Sequence, residues 1–347
     1  MFDTFYRLTG QPFLLTPDTR FFFGSSGHSR AIAHLVYGLS QQEGFIVITG
    51  EVGAGKTTLV EQLWAQLDLN TYVISRVVTT QVSGEDLFRL ALANFGLDEA
   101  ARTTNPADKA TLLRRFEQLV REQRKQGRRC VLVIDEVQNL SLAAMEEQRM
   151  LSNITVDGRA SVQTILLGQP QFRPILASKD VEQLRQRVLA SYHLGPLTDL
   201  ETRGYIEHRM RTVGWKDDPV FEDDAFSAVH RHSGGIPRRI NTLCSRVLLL
   251  GSLEETHAIT AAMVEATAEE LDRDLGWRHS EALAAEPATV SPPTAASASA
   301  LASSPMASDE QDDMMRRIEM LERSALRQEQ AFRRVIDLLE ASMATKT

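Results

Sequence analysis

Two hydrophobic rhythms alternate along the chain. Short unbroken apolar runs fall at residues 45–49, 71–77, 130–134 and 162–168, with a weaker one at 192–194. Unbroken apolarity over so few residues predicts strands buried on both faces, as in a parallel sheet covered by helices. Between these runs the apolar residues recur every three or four positions, which predicts amphipathic helices over 57–67, 84–97 and 111–126. Beyond residue 198 the strand rhythm does not return, and 198–212, 223–232, 238–251 and 260–271 all read as helices. The pattern predicts an α/β domain over 1–196 handing over to a small all-helical domain over 197–277.

The rhythm then stops. Residues 278–308 turn to Ala, Ser, Pro and Thr, with no charge between Pro287 and Ser308. Too little apolar surface is available there to offset the entropy of ordering, so a disordered linker is expected. In 309–347 a heptad-like seam appears: Met314, Ile318, Leu321, Ala325, Gln328, Phe332, Val335 and Leu339 alternate in steps of four and three. The seam predicts an amphipathic, coiled-coil-type helix. Self-association, recruitment of a different protein partner and folding back on the globular part all remain open for it.

Composition narrows the classes. The chain of 347 residues has a formal net charge of -8, which argues against a protein that coats nucleic acid, although it leaves room for a local basic patch. The two cysteines, Cys130 and Cys244, lie in an apolar strand and a helical run and read as small core residues. The eight histidines lack ligand spacing, so no zinc-type site is expected. No run approaches the ~18 apolar residues of a membrane span. The start lacks a basic stretch followed by an apolar core, so a cytoplasmic protein is expected, one that reaches the inner membrane only peripherally, through a partner.

The chemistry sits at the strand ends. Gly50, Glu51, Val52, Gly53, Ala54, Gly55, Lys56 and Thr57, followed by Thr58, fit the pattern G-x-x-x-x-G-K-[ST] between a strand and a helix. Glycines let the backbone turn its N–H groups onto phosphate oxygens, and the following helix start adds more. Lys56 places a cation at the β- and γ-phosphates, and the Thr57 hydroxyl is a hard oxygen ligand for Mg²⁺. The third apolar run ends in Asp135 and Glu136. Two acids at the end of a buried strand are costly unless they face a cation or water, which assigns Asp135 to the metal and Glu136 to the attacking water as general base. Gln169 follows the fourth run and either reaches the γ-phosphate or simply precedes the turn at Pro170. Arg185 and Arg187 precede the last strand, as arginine fingers for a neighbouring subunit or as solvated surface. Arg238, in Gly234-Gly235-Ile236-Pro237-Arg238-Arg239, opens a helix from which it can report nucleotide state.

Together these residues resemble the AAA+ ATPases over about residues 1–270. The text before the P-loop narrows the likeness: Pro12-Phe13, Pro17-Asp18, Phe21-Phe22-Phe23-Gly24, His28 and Tyr37-Gly38-Leu39 are similar to the general-secretion ExeA-type ATPases. Among these, the subfamily associated with exosortase (XrtA, PEP-CTERM) and exopolysaccharide loci is the most similar. The resemblance implies ATP and Mg²⁺ as cofactors, a parallel five-stranded sheet of order 5-1-4-3-2, a helical lid and a homo-oligomer. It also implies that Asp135 and Glu136 are Walker B residues, Gln169 sensor 1, Arg187 (or Arg185) the arginine finger and Arg238 sensor 2. Two departures matter. ExeA-type proteins carry a membrane span and a cell-wall-binding region after the ATPase part, where this sequence has the linker and heptad stretch; and sensor 1 in many relatives is Asn. The expected function is an Mg²⁺-dependent ATPase acting as motor or regulator of an envelope export, exosortase or exopolysaccharide system. Two alternatives are a DNA-dependent ATPase similar to transposition target-selection proteins and a nucleotide-controlled switch that hydrolyses poorly.

Overall fold

Strands stand where the unbroken apolar runs fall. In the computed structural model β1 (Phe45–Gly50), β2 (Tyr72–Val78), β3 (Arg129–Asp135), β4 (Val162–Gly168) and β5 (Val188–Leu194) form one parallel sheet, ordered β2-β3-β4-β1-β5 from edge to edge. The structure describes residues 2–67, 70–78, 84–96, 109–156, 158–160 and 162–275. The linker and heptad helix expected after residue 277 lie outside the described residues.

Central strands β1 and β4 are buried at every position, which is why their sequences show no alternation. Edge strand β5 alternates between buried and open positions, so only its last three residues were legible as a strand. Side chains leave each strand on alternate faces. Phe45, Val47, Leu132, Ile134 and Leu166 enter one core with helices α3 (Gly84–Asn94) and α4 (Lys109–Lys125). Ile46, Ile48, Val131, Val133, Ile165 and Leu167 enter the other with α1 (Ser26–Gln41) and α2 (Lys56–Gln66). Neither α1 nor α5 (Leu142–Asn153) was anticipated from the sequence; each starts on a serine, Ser25 or Ser141, whose hydroxyl accepts a backbone N–H of the first turn.

Helices α6 (Asp199–Thr212), α7 (Asp223–Ser233), α8 (Pro237–Leu253) and α9 (Ala261–Leu275) build a third core. Two corrections apply here. This part is not all-helical, because Val220–Phe221 pairs in parallel with Ala258–Ile259; two-residue strands are too short to leave a rhythm. The first residues, expected within the α/β domain, send Phe2, Tyr6, Phe13 and Phe21 into this helical core instead. A further two-residue antiparallel pair, Thr155–Val156 with Arg159–Ala160, precedes β4.

Candidate nucleotide site

The carboxyl ends of β1, β3 and β4 meet at one edge, the place where parallel α/β sheets hold ligands. The loop leaving β1 turns on Gly53 (φ +82°) and Gly55 (φ +97°), both left-handed conformations that suit glycine. A Cβ at Gly53 would overlap the Arg238 side chain, and one at Gly55 would come 2.9 Å from His28 Nε2. The loop is therefore gripped from both sides as well as being tightly turned. Lys56 is 6% exposed, and its Nζ donates to the carbonyls of Gly50 at 2.7 Å and Glu51 at 2.9 Å. Burial lowers its pKa, while the carboxylates of Glu136, Asp135 and Glu51 pull the other way. The ammonium thus lies in the loop it serves, surrounded by negative charge.

Asp135 is 4% exposed at the end of β3. Its Oδ1 accepts the Glu136 N–H at 3.0 Å, and its Oδ2 accepts the Thr57 hydroxyl at 2.9 Å. The pattern match at Thr57 and the acid at the end of β3, 78 positions apart, are therefore in direct contact. A third partner escaped the sequence reading. Arg76 on β2 places Nη2 3.2 Å from the same Asp135 Oδ2 and Nη1 3.1 Å from Glu61 Oε1 of α2. A buried carboxylate needs a counter-charge, and Arg76 supplies it here. Nothing in the run Val73-Ile74-Ser75-Arg76-Val77 except a lone cation within a strand could have signalled this.

Glu136 adopts a left-handed backbone (φ 55°), which costs a non-glycine residue about 1 kcal/mol and is held by its surroundings. Its Oε2 accepts Gln169 Nε2 at 2.9 Å and Gln138 Nε2 at 2.5 Å. Gln138 Oε1 in turn accepts the Gln169 backbone N–H at 3.0 Å. The structure brings Gln169 onto Glu136, and Gln138, missed in the sequence, closes the triangle. Its only signal was its position two residues beyond the acid pair.

The opposite wall comes from the chain's start and from the helical part. A cavity of about 310 Å³ is lined by Lys56, Thr57 and Glu136 on one side and by Leu14, Phe22 and Arg238 on the other. The N–H of Arg238, in the first turn of α8, donates to the Gly53 carbonyl at 3.2 Å. Residues 12–14 are strapped down by Arg209, which is 6% exposed and donates to Pro12 O at 2.5 Å, Leu14 O at 3.2 Å and Tyr205 OH at 2.8 Å. His28, buried behind the P-loop, shares a 2.7 Å hydrogen bond with the Ser25 hydroxyl, and burial lowers its pKa so that it is neutral at pH 7. Glu201 of α6 accepts the Ser26 N–H at 2.8 Å and ties the helical part to α1. Burial alone would raise its pKa, but hydrogen bonds from Thr198 and Ser26 outweigh that and bring it down to about 2.

Arg187 and Arg185 are not brought to this chain's own pocket. Val188 pairs with Phe45 at the amino ends of the strands, the far end of the sheet from Lys56. There the Arg187 guanidinium donates to Ser152 Oγ at 2.9 Å, while Arg185, 47% exposed, donates to Ala177 O and faces Glu182.

Residues 39–176 match the family model of the AAA domain. The chain is 34% identical over 285 residues to the general secretion pathway protein A of Aeromonas hydrophila, covering 80% of this chain and 50% of that protein. It therefore spans about half the length of that relative. Among solved structures it is similar to the Aeropyrum pernix ORC2 protein in ADPNP–ADP complexes (TM-score 0.53, 17% identity, 70% of this chain and 66% of that one). It is also similar to Drosophila ORC bound to DNA (TM-score 0.57, 15% identity, 83% and 69%). At such identities these two likenesses speak for the fold. Residues 39–176 thus match an AAA domain on an α/β fold with a phosphate loop, and the chain is similar in sequence to a general secretion pathway protein.

Proposed function

We propose that this chain binds ATP with Mg²⁺ in the pocket between the P-loop, the 12–23 strap and the first turn of α8, and hydrolyses it there. The observation that carries the reading is the convergence of Lys56, the Thr57–Asp135 contact and the Glu136–Gln138–Gln169 triangle at one strand-end edge. Lys56 and the amides of residues 51–57 hold the phosphates. Glu136 accepts a proton from the attacking water, whose place Gln169 and Gln138 fix by holding the carboxylate. The helical part acts as a lid, since Arg238 and the Gly53 carbonyl already join it to the phosphate loop.

The residues present fit a magnesium ion. Thr57 Oγ1 and Asp135 Oδ2 are hard oxygen donors 2.9 Å apart, and a guanidinium already answers the demand for positive charge at that oxygen. Bound there, the ion would screen the phosphate charge. Because Arg76 shares Asp135 Oδ2, Arg76→Gln should tighten divalent-ion binding several-fold, read as Mn²⁺ affinity by electron paramagnetic resonance. Glu61→Gln, which leaves Arg76 only Asp135, should weaken it. Shifts of the same sign in both variants would remove Arg76 from this role. For the whole reading, the protein should release phosphate from ATP with Mg²⁺ and stop on addition of EDTA; ATP left intact under both conditions refutes hydrolysis.

The pathway rests on the secretion relative and on the text before the P-loop. We assign the chain to an envelope export system of the exosortase or exopolysaccharide type, at the cytoplasmic face, with a protein partner. Among the described residues no helix is long and apolar enough to cross a membrane. The working form is a homo-oligomer in which Arg187 or Arg185 of one copy reaches the nucleotide of the next.

A further inference from the structure

An acidic chain carries one concentrated basic face. Against the net charge of -8 for all 347 residues, the stretch 109–129, which is α4 and the start of β3, holds eight Lys and Arg and only two carboxylates, Glu117 and Glu122. Arg114, Arg121 and Lys125 are exposed and sit at i, i+7 and i+11, on one side of α4. Arg128 and Arg129 continue the stripe to the rim of a cleft of about 1110 Å³ at the amino ends of the strands, which Arg187 also lines. Among the described residues, none of these five cations in the stripe has a carboxylate within ion-pair distance.

Such a face costs stability. Like charges four apart on a helix, as at Arg121 and Lys125, repel by a few tenths of a kcal/mol. A chain with 46 acids has carboxylates to place beside them, yet α4 places few. The face also lacks the features of other partners. No large apolar side chain is exposed on α4, so it offers neither the apolar centre of a protein interface nor the apolar edge of a membrane-surface helix. What it offers is a row of cations. The stripe on α4 runs about 16 Å at 1.5 Å per residue. A nucleic-acid strand presents one phosphate per ~3.4 Å of axis, so several phosphates lie within its reach.

We infer that α4 and the adjoining Arg128–Arg129 rim form a binding face for the phosphate backbone of a nucleic acid, read without sequence preference. Cations contact phosphate oxygens, the part of a nucleic acid that carries no sequence information. The Arg128–Arg129 rim of this face lies at the opposite end of the sheet from the P-loop, and phosphate binding by the face does not depend on ATP hydrolysis.

The test is fluorescence anisotropy of the full chain with a labelled duplex over roughly 50–200 mM salt, where about four neutralised phosphates give a log–log slope near -4. The combined variant Arg114→Gln, Arg121→Gln, Lys125→Gln should flatten that slope by about 2 to 3 and weaken binding at least tenfold at the lowest salt. Retained binding of a fluorescent ATP analogue shows that the variant is folded, and Arg121→Glu alone serves as a second, milder probe expected to weaken binding in the same direction. No duplex binding at low salt, or a slope untouched in both variants, overturns the inference. So does equal, equally variant-sensitive binding to phosphatidylglycerol vesicles or to polyglutamate, which would assign the face to a membrane or to an acidic protein.

Discussion

Replacing Glu136 with Gln should cut the turnover of ATP by roughly 10²-fold or more while leaving nucleotide affinity within a few-fold. The amide keeps the shape of the side chain and can still bond to Gln138 and Gln169, whose side chains now meet Glu136 Oε2. It loses the ability to take a proton from water. The selective fall in kcat separates a base from a structural residue, because disruption of the triangle alone would also disturb binding through the neighbouring β3 end. Single-turnover hydrolysis together with fluorescent-ATP titration measures both quantities. Turnover within threefold of the parent protein would remove Glu136 as the base.

Lys56→Ala should have the opposite signature. The ammonium is buried among loop carbonyls and three carboxylates, so its charge already acts inside the site. On the proposed reading, removing it would leave the phosphates without their cation, and charge-assisted hydrogen bonds of this kind are worth about 1.5–3 kcal/mol each. An affinity loss of roughly 10²-fold or more is expected, about 2.8 kcal/mol at 1.4 kcal/mol per tenfold. Isothermal titration with ATP and Mg²⁺ reads it directly. Unchanged affinity would overturn the assignment of the pocket, whatever the turnover. The two variants together distinguish a failed binding site from a failed chemical step.

Much of this site was legible before any coordinates. The P-loop depends on local sequence: glycines where the backbone must turn left-handed, then Lys56 and Thr57 at a helix start. Asp135 and Glu136 announced themselves because a buried strand does not end in two acids without reason. Arg76 and Gln138 were not legible, because each looks like an ordinary polar residue until the sheet places it against a carboxylate. Arg209 is similar. Within α6 it is one of several basic residues, and only its contacts with Pro12 and Leu14 reveal that it holds the strap of the pocket.

By itself the sequence determined what is periodic or local: the central strands, most helices, the phosphate loop and the pairing of strand-end acids with it. Burial on both faces and the geometry of a turn are written into consecutive residues, so they can be read there. The tertiary structure alone decided what depends on distant segments meeting. It moved the first residues into the helical core, gave the helical part a short strand pair, set Arg76 on Asp135 and Gln138 on Glu136, and left Arg187 at the far end of the sheet. Contacts between residues far apart in the chain arise from packing as a whole, and packing leaves no mark on either partner's neighbours in sequence.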